Sequence, residues 1–218
     1  MNLRFRLFII GIGALLVVLT YTFPLWITFF QSEGEIFPFP ELAEELREDF
    51  DALPPSARSA YLTLREEDAR LAVQMASTAL QDPVIVPLDE QENPNFQGQQ
   101  AVRSGTFVEI DAIRRAEGQA TIYELPDGNR YLWLEDFNAV NGPGLRLFLS
   151  TRTPAMMNEL EEDEVLDLSL DDVLLDPLRA TVGNQAYDVP SEIDLSLYES
   201  VVIYSTDLDL IYSMAVLN

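Results

Sequence analysis

The chain has 218 residues, 48% of them hydrophobic, and sets 37 Asp plus Glu against 13 Lys plus Arg for a net charge of −24. It contains no Cys, no His and no Lys, so every fixed cation is an arginine, and disulfides and thiolate or imidazole metal sites are excluded. The length allows one sizeable domain with appendages, and an acidic field of this size repels phosphate backbones, which argues against nucleic acid as a partner.

Leu7 to Phe30 is an uncharged, mostly apolar stretch of 24 residues, and a helix needs only about 20 to cross a bilayer. Arg4 and Arg6 precede it and Glu33 is the first charge after it, so the positive-inside rule keeps the N-terminus in the cytoplasm. A cleaved signal peptide is the alternative, but its apolar region is about 7–15 residues long, and no A-x-A-like site follows here. The expectation is an uncleaved signal-anchor over residues 1–30, with the rest of the chain extracytoplasmic at the cell membrane. That outer part carries all 37 acids. Such a surface attracts cationic partners or divalent ions, or simply stays solvated in a salty or alkaline habitat.

Residues 31–97 read as a helical stalk and linker. Phe37, Pro38, Phe39 and Pro40 make a short, stiff exit. From Pro40 to Leu53, the residues Leu42, Leu46, Phe50 and Leu53 recur at helical spacing and predict one apolar face. Pro54-Pro55-Ser56 breaks that helix, and a second is expected near Thr63, where Thr63-Leu64-Arg65-Glu66 fits a capping box. Leu64, Leu71 and Met75 form its stripe, with Ala72 and Ala79 beside it. Asp82 to Gln100, rich in Pro, Gln, Asn and acids, reads as a linker.

Beyond Gly105 the period changes to alternation. Strands are expected over Thr106 to Asp111, Gln119 to Leu125, Arg130 to Phe137, Leu145 to Thr151, Val165 to Val173, Ala180 to Val189, Ser200 to Asp207 and Ile211 to Leu217. Short strands at this spacing predict an antiparallel β-sandwich or barrel over residues 98–218. Pro126-Asp127-Gly128-Asn129 and Asn141-Gly142-Pro143-Gly144 supply turn chemistry. In Val165 to Val173, three leucines alternate with Asp167, Ser169 and Asp171, as a strand with one wet face would. Arg130 to Phe137 sets Tyr131, Trp133 and Phe137 against Leu132 and Leu134, which predicts a strand covered on both faces. The fold class is therefore mainly β, preceded by a transmembrane helix and a short helical segment.

Several runs in this half carry a resemblance. They are Gly105-Thr106-Phe107, Gly118-Gln119-Ala120, Leu134-Glu135-Asp136-Phe137 followed by Asn141-Gly142-Pro143, then Gln185-Ala186-Tyr187-Asp188-Val189-Pro190, and finally Val201-Val202-Ile203-Tyr204-Ser205 with Ala215. Together, over about residues 98–218, they resemble the DM-thirteen domain, the extracellular β domain of Skeletor-type proteins. The resemblance marks Glu135, Asp136, Phe137, Asn141, Gly142, Pro143, Gln185, Tyr187, Pro190 and Ser205 as family-motif positions. It implies electron transfer through a cysteine in the segment that ends at Ser205. A hydroxyl forms neither thiolate, sulfenic acid nor disulfide, so that chemistry has no carrier in this chain.

Other constellations point to no catalytic or metal residue. Haem would lack His and Cys ligands, and Met156-Met157 reads as loop. No cofactor is expected. Glu159, Glu161, Glu162, Asp163 and Glu164 offer oxygen ligands for weak divalent-cation binding but lack the spacing of a calcium loop. Adjacent Glu135 and Asp136 would point to opposite faces of a strand, so they make no acid–base pair. Asp136 is expected to accept backbone hydrogen bonds from the turn after it. Ser205 lacks a His base and a G-x-S-x-G context, and reads as a small buried serine bonded to backbone. The expected function is a non-enzymatic, membrane-tethered binding or interaction module for an unidentified protein or small ligand. The alternatives are an accessory part of membrane electron transfer and an adhesion or envelope role using the acidic surface.

Overall fold

The computed structural model describes residues 37–94, 96–159 and 168–218. The expected membrane span and most of the acidic run from Glu159 to Glu164 lie outside the described residues. Among the described residues no helix is long and apolar enough to cross a membrane. The chain divides into two compact units, Met1–Pro40 and Glu41–Asn218, and the second carries both the helices and the β domain.

A 3-10 turn, Glu44–Leu46, leads into α1 (Arg47–Ala52), followed by α2 (Pro55–Glu67) and α3 (Ala69–Ala79). Of the expected stripe Leu42 and Phe50 are buried and Leu46 and Leu53 half-buried, but the helix starts at Arg47 and not at Pro40, so Leu42 lies before it. The second helix starts eight residues before Thr63, at Pro55, because proline in a first turn forfeits no intrahelical bond. Thr63 to Glu66 therefore sits inside α2 and caps nothing. The cap lies at Asp68, an extended residue between α2 and α3 whose Oδ1 accepts from the Leu71 N–H at 2.9 Å. Ala72, Met75 and Ala76 bury the inner face of α3, and Tyr61 of α2 packs on Phe50 with ring centroids 6.1 Å apart.

Eight antiparallel strands follow: β1 (Gln100–Glu109), β2 (Ala116–Glu124), β3 (Arg130–Ala139), β4 (Leu145–Ser150), β5 (Val173–Pro177), β6 (Gln185–Val189), β7 (Ser200–Ser205) and β8 (Leu210–Val216). Their order is β5-β4-β7-β8-β1-β2-β3-β6, an almost closed barrel or sandwich. The gap between β5 and β6 is spanned by the chain from Leu178 to Gly183, where Leu178 N–H donates to the Leu145 carbonyl and Ala139 N–H to that of Thr181. Cross-strand partners share a face. Leu132, Leu134, Ile122, Leu147, Ile203 and Ala215, all fully buried, line the interior through the paired registers. The segment after Asp82 lies along the domain: Val86 N–H donates to the Val182 carbonyl at 2.9 Å, and the Tyr131 hydroxyl donates to Gln99 Oε1 at 2.7 Å.

Among the strand expectations, that from Ala180 is met only from Gln185 onward, and two others fail for identifiable reasons. Leu168 to Asp172 form a turn and not a strand, because Asp172 accepts from the Ser169 N–H at 2.7 Å and the Thr151 N–H at 3.0 Å, leaving Leu170 fully exposed. Turn-forming Ser and Asp side chains competed with the ladder and won. In β3 the alternation breaks at Asp136, which takes φ 49° opposite Gly118 at φ 112°. A Cβ on Gly118 would stand 2.6 Å from the Glu135 carbonyl oxygen. This bulge exposes both Glu135 and Asp136 and turns Phe137 inward against Phe107, centroids 5.4 Å apart, on the opposite face from Tyr131 and Trp133. Tyr131 to Leu134 are nonetheless buried throughout, so β3 is covered on both faces as predicted.

Candidate functional site

The loop Asn141-Gly142-Pro143-Gly144 connects β3 to β4. Ser205, the last residue of β7, pairs with Leu145 at the start of β4 and is fully buried; its hydroxyl donates to the Pro143 carbonyl at 2.6 Å. The reading of Ser205 as a buried, backbone-bonded serine therefore holds. Thr206 N–H donates to the Gly144 carbonyl at 3.1 Å beside it. Gly142 lies flat on Tyr212 of β8, where a Cβ would come within 2.5 Å of ring carbons Cε1 and Cζ. Glycine is required there by close approach. Asn141 ties the loop sideways to the end of α3, its Nδ2 donating to the Gln81 carbonyl at 2.8 Å and to that of Asp82 at 3.3 Å.

A second set of motif positions holds the chain that closes the barrel. Gln185 and Tyr187 alternate on β6 and both point inward. The Tyr187 hydroxyl donates to Gln185 Oε1 at 2.6 Å and accepts from the Arg179 N–H at 3.0 Å, while Gln185 Nε2 donates to the Ala180 carbonyl at 2.9 Å. The Arg179 guanidinium lies over the Tyr187 ring, 4.6 Å from its centroid. Burial pushes the Tyr187 phenol up to about 12, against the pull of the Arg179 N–H and charge. Pro190 follows β6 directly and, having no N–H, ends its ladder.

Between these two held segments lies a cleft of about 360 Å³. Asn141, Gly142, Gly144 and Leu145 line one side, Leu178 to Thr181 another, and Thr78, Gln81, Asp82 and Val84 the third. Asp82 and Arg179 are its charged residues. Asn141 and Gly142 thus face the cleft, and Pro143, Ser205, Gln185 and Tyr187 support its walls from behind. Glu135, Asp136 and Phe137 are not part of it. There the Asp136 N–H, and not its carboxylate, makes the contact, donating to Asn184 Oδ1 at 2.8 Å, while Asn184 Nδ2 donates to the Gln91 carbonyl at 3.1 Å.

Sequence reading missed Arg179, Asp82 and Tyr212. The signal for Arg179 is visible in retrospect as a lone cation in a strongly acidic stretch; Tyr212 carries none, because its contact with Gly142 is made across 70 positions of sequence. Chemically the cleft presents hydroxyls, amides and one charge of each sign, and Ser205, buried and committed to a carbonyl, is not offered as a nucleophile. Among the described residues no group of three or more acidic, His or Cys side chains converges to hold a metal.

A family model described as "Electron transfer DM13" matches residues 106–217, from β1 through β8. No curated protein and no solved structure matches the chain. The family match spans the strands that carry the loop, the closing segment and Ser205 alike, and on it the chain belongs to the DM13 family.

Proposed function

We propose that the chain is a membrane-tethered, extracytoplasmic binding module of the DM13 family, in which the family architecture is kept and the sulfur chemistry is not. The observation that carries this reading is Ser205: it occupies the position where the resemblance places the cysteine, is fully buried, and donates its hydroxyl to the Pro143 carbonyl at 2.6 Å. A serine in that place closes the loop over the core and can neither ionise to a thiolate nor form a disulfide. The tether rests on the 24-residue apolar stretch from Leu7 to Phe30 with Arg4 and Arg6 before it. The cleft between the motif-held walls is the surface offered to the ligand, a protein segment or a small polar molecule.

The test is a redox titration of the purified full chain between a strong reductant and a strong oxidant. The expected result is no reversible electron uptake and no visible absorbance. Uptake of one or more electrons per chain would replace this reading by the second one, an accessory part of membrane electron transfer, which the family description favours. For the tether, N-terminal sequencing of the mature protein is expected to start at Met1 or Asn2; a start near Gln31 would show a cleaved signal peptide.

A further inference from the structure

A second cleft, of about 200 Å³, opens on the other side of Asn141. Leu53, Pro54, Ala57, Ile113 and Val140 give it apolar walls, and Tyr61 and Arg115 are among its polar residues. The wall contains no Asp or Glu, although the chain has 37 of them. Arg115 is exposed and among the described ion pairs has no carboxylate partner, whereas its neighbour Arg114 is paired with Asp111 at 2.7 Å. Asp111 is further engaged by the Ile113 and Arg114 N–H groups at 2.9 and 2.7 Å. Tyr212, whose ring lies against Gly142 of the first cleft, is 2% exposed, and among the described residues its hydroxyl has no hydrogen-bond partner. Tyr212, Asp111 and Arg115 all act electrostatically on Tyr61, Asp111 more than Arg115, so the phenols, that carboxylate and the guanidinium form one neighbourhood.

The geometry points to a site for a small amphipathic anion: a single ring or short branched chain bearing one carboxylate. The apolar body fits walls of Leu, Pro, Ala, Ile and Val, and the volume limits it, since an apolar cavity of about 150 Å³ already accepts benzene. The carboxylate meets Arg115, a fork of donors matched to two oxygens, and the Tyr61 hydroxyl, a neutral phenol with a proton to give. In a protein of charge −24 most of the surface repels an anion. A wall without carboxylates and the Arg115 guanidinium are what admit it, while the nearby Asp111 is engaged by Arg114 and two backbone N–H groups. The two clefts share Gln81 and Asn141, but Arg115 and Tyr61 line this one alone, so a failure at these residues leaves the reading of the first cleft untouched.

Equilibrium dialysis of the full chain against benzoate tests the assignment, with benzyl alcohol as the uncharged counterpart. Saturable uptake of one benzoate per chain is expected at a Kd of about 1 mM or tighter. R115Q, on an exposed side chain, should weaken it by about tenfold or more, Y61F by about fivefold, and benzyl alcohol should bind about tenfold more weakly than benzoate. R152Q, away from the cleft, should change nothing. No saturable uptake up to about 20 mM, equal binding by R115Q, or equal binding of benzyl alcohol would each overturn the assignment. Because the alcohol comparison uses the unaltered protein, it stands even if a variant misfolds.

Discussion

Two of the three walls of the 360 Å³ cleft are held by different means. The Asn141–Gly144 loop is fitted by shape, with Gly142 on the Tyr212 ring where no Cβ fits, and its hydrogen bonds are dispersed: Ser205 and Thr206 donate to its carbonyls and Asn141 donates out to Gln81 and Asp82. The Leu178–Thr181 segment is kept in place by a network, in which Gln185 and Tyr187 satisfy each other and two backbone groups of the segment at once. A wall held by close approach tolerates loss of one of several dispersed hydrogen bonds but no added atom. A wall held by a buried network tolerates no deleted one, since each removal strands its partners.

This contrast can be broken by single substitutions. The largest effect is expected for G142A, which forces a methyl group to within 2.5 Å of the Tyr212 ring; a loss of about 3 kcal/mol is expected by urea denaturation. Y212L should relieve much of that loss in the double variant. No relief would mean that the loop backbone and not the ring sets the requirement.

Next in size is Y187F, which leaves the Gln185 oxygen and the Arg179 N–H without their partner at a cost of about 2 kcal/mol. It also changes the alkaline limb of stability. The Tyr187 pKa is raised in the fold from 10.0 to about 12, so the native state keeps a proton that the unfolded chain has lost. That contribution is full below pH 10 and is lost as pH rises toward 12. The wild type should therefore lose about 2 kcal/mol more than Y187F between pH 9.5 and 12. Tyr61 and Tyr212, whose pKa values are also raised by burial, keep part of the slope in both. Parallel pH profiles would show that the phenol titrates alike in the folded and unfolded chain.

Smaller still is S205A, which removes one hydrogen bond to a half-buried loop; about 1 kcal/mol is expected. A loss as large as that of G142A would put the loop in the same class as the Gln185–Tyr187 network and erase the contrast. The smallest change in stability is expected for S205C, where the informative measurement is reactivity. Its thiol should react with a disulfide reagent about a hundredfold more slowly in the native protein than in denaturant, because a buried neutral thiol is not a nucleophile. Fast native reaction would show that the loop opens readily and that this position can reach solvent.

Much of this protein was legible in its linear order. The strand periods of β1 to β4 and β6 to β8, the turn at Pro126 to Asn129 and the mainly β, antiparallel class follow from side-chain alternation and turn residues, which act over a few positions. Gly128 does take φ 84° in that turn. The empty Cys and His inventory likewise settles, without any coordinates, that no thiol chemistry can occur at position 205. The family motifs were legible as a set of positions, though not as a set of roles.

What the tertiary structure decided are the matters that depend on partners far away in sequence. The Leu168–Asp172 alternation became a turn because Asp172 found the N–H groups of Ser169 and Thr151. The strict alternation of β3 failed because Gly118 on the neighbouring strand made room for a bulge at Asp136. Asn141 and Gly142 came to share a cleft with Leu178 to Thr181, backed by Gln185 and Tyr187, because the chain that spans β5 and β6 brings residues some 40 positions apart onto facing walls. Local chemistry writes strands and turns, but a site is a meeting of surfaces, and only the folded sheet determines which surfaces meet.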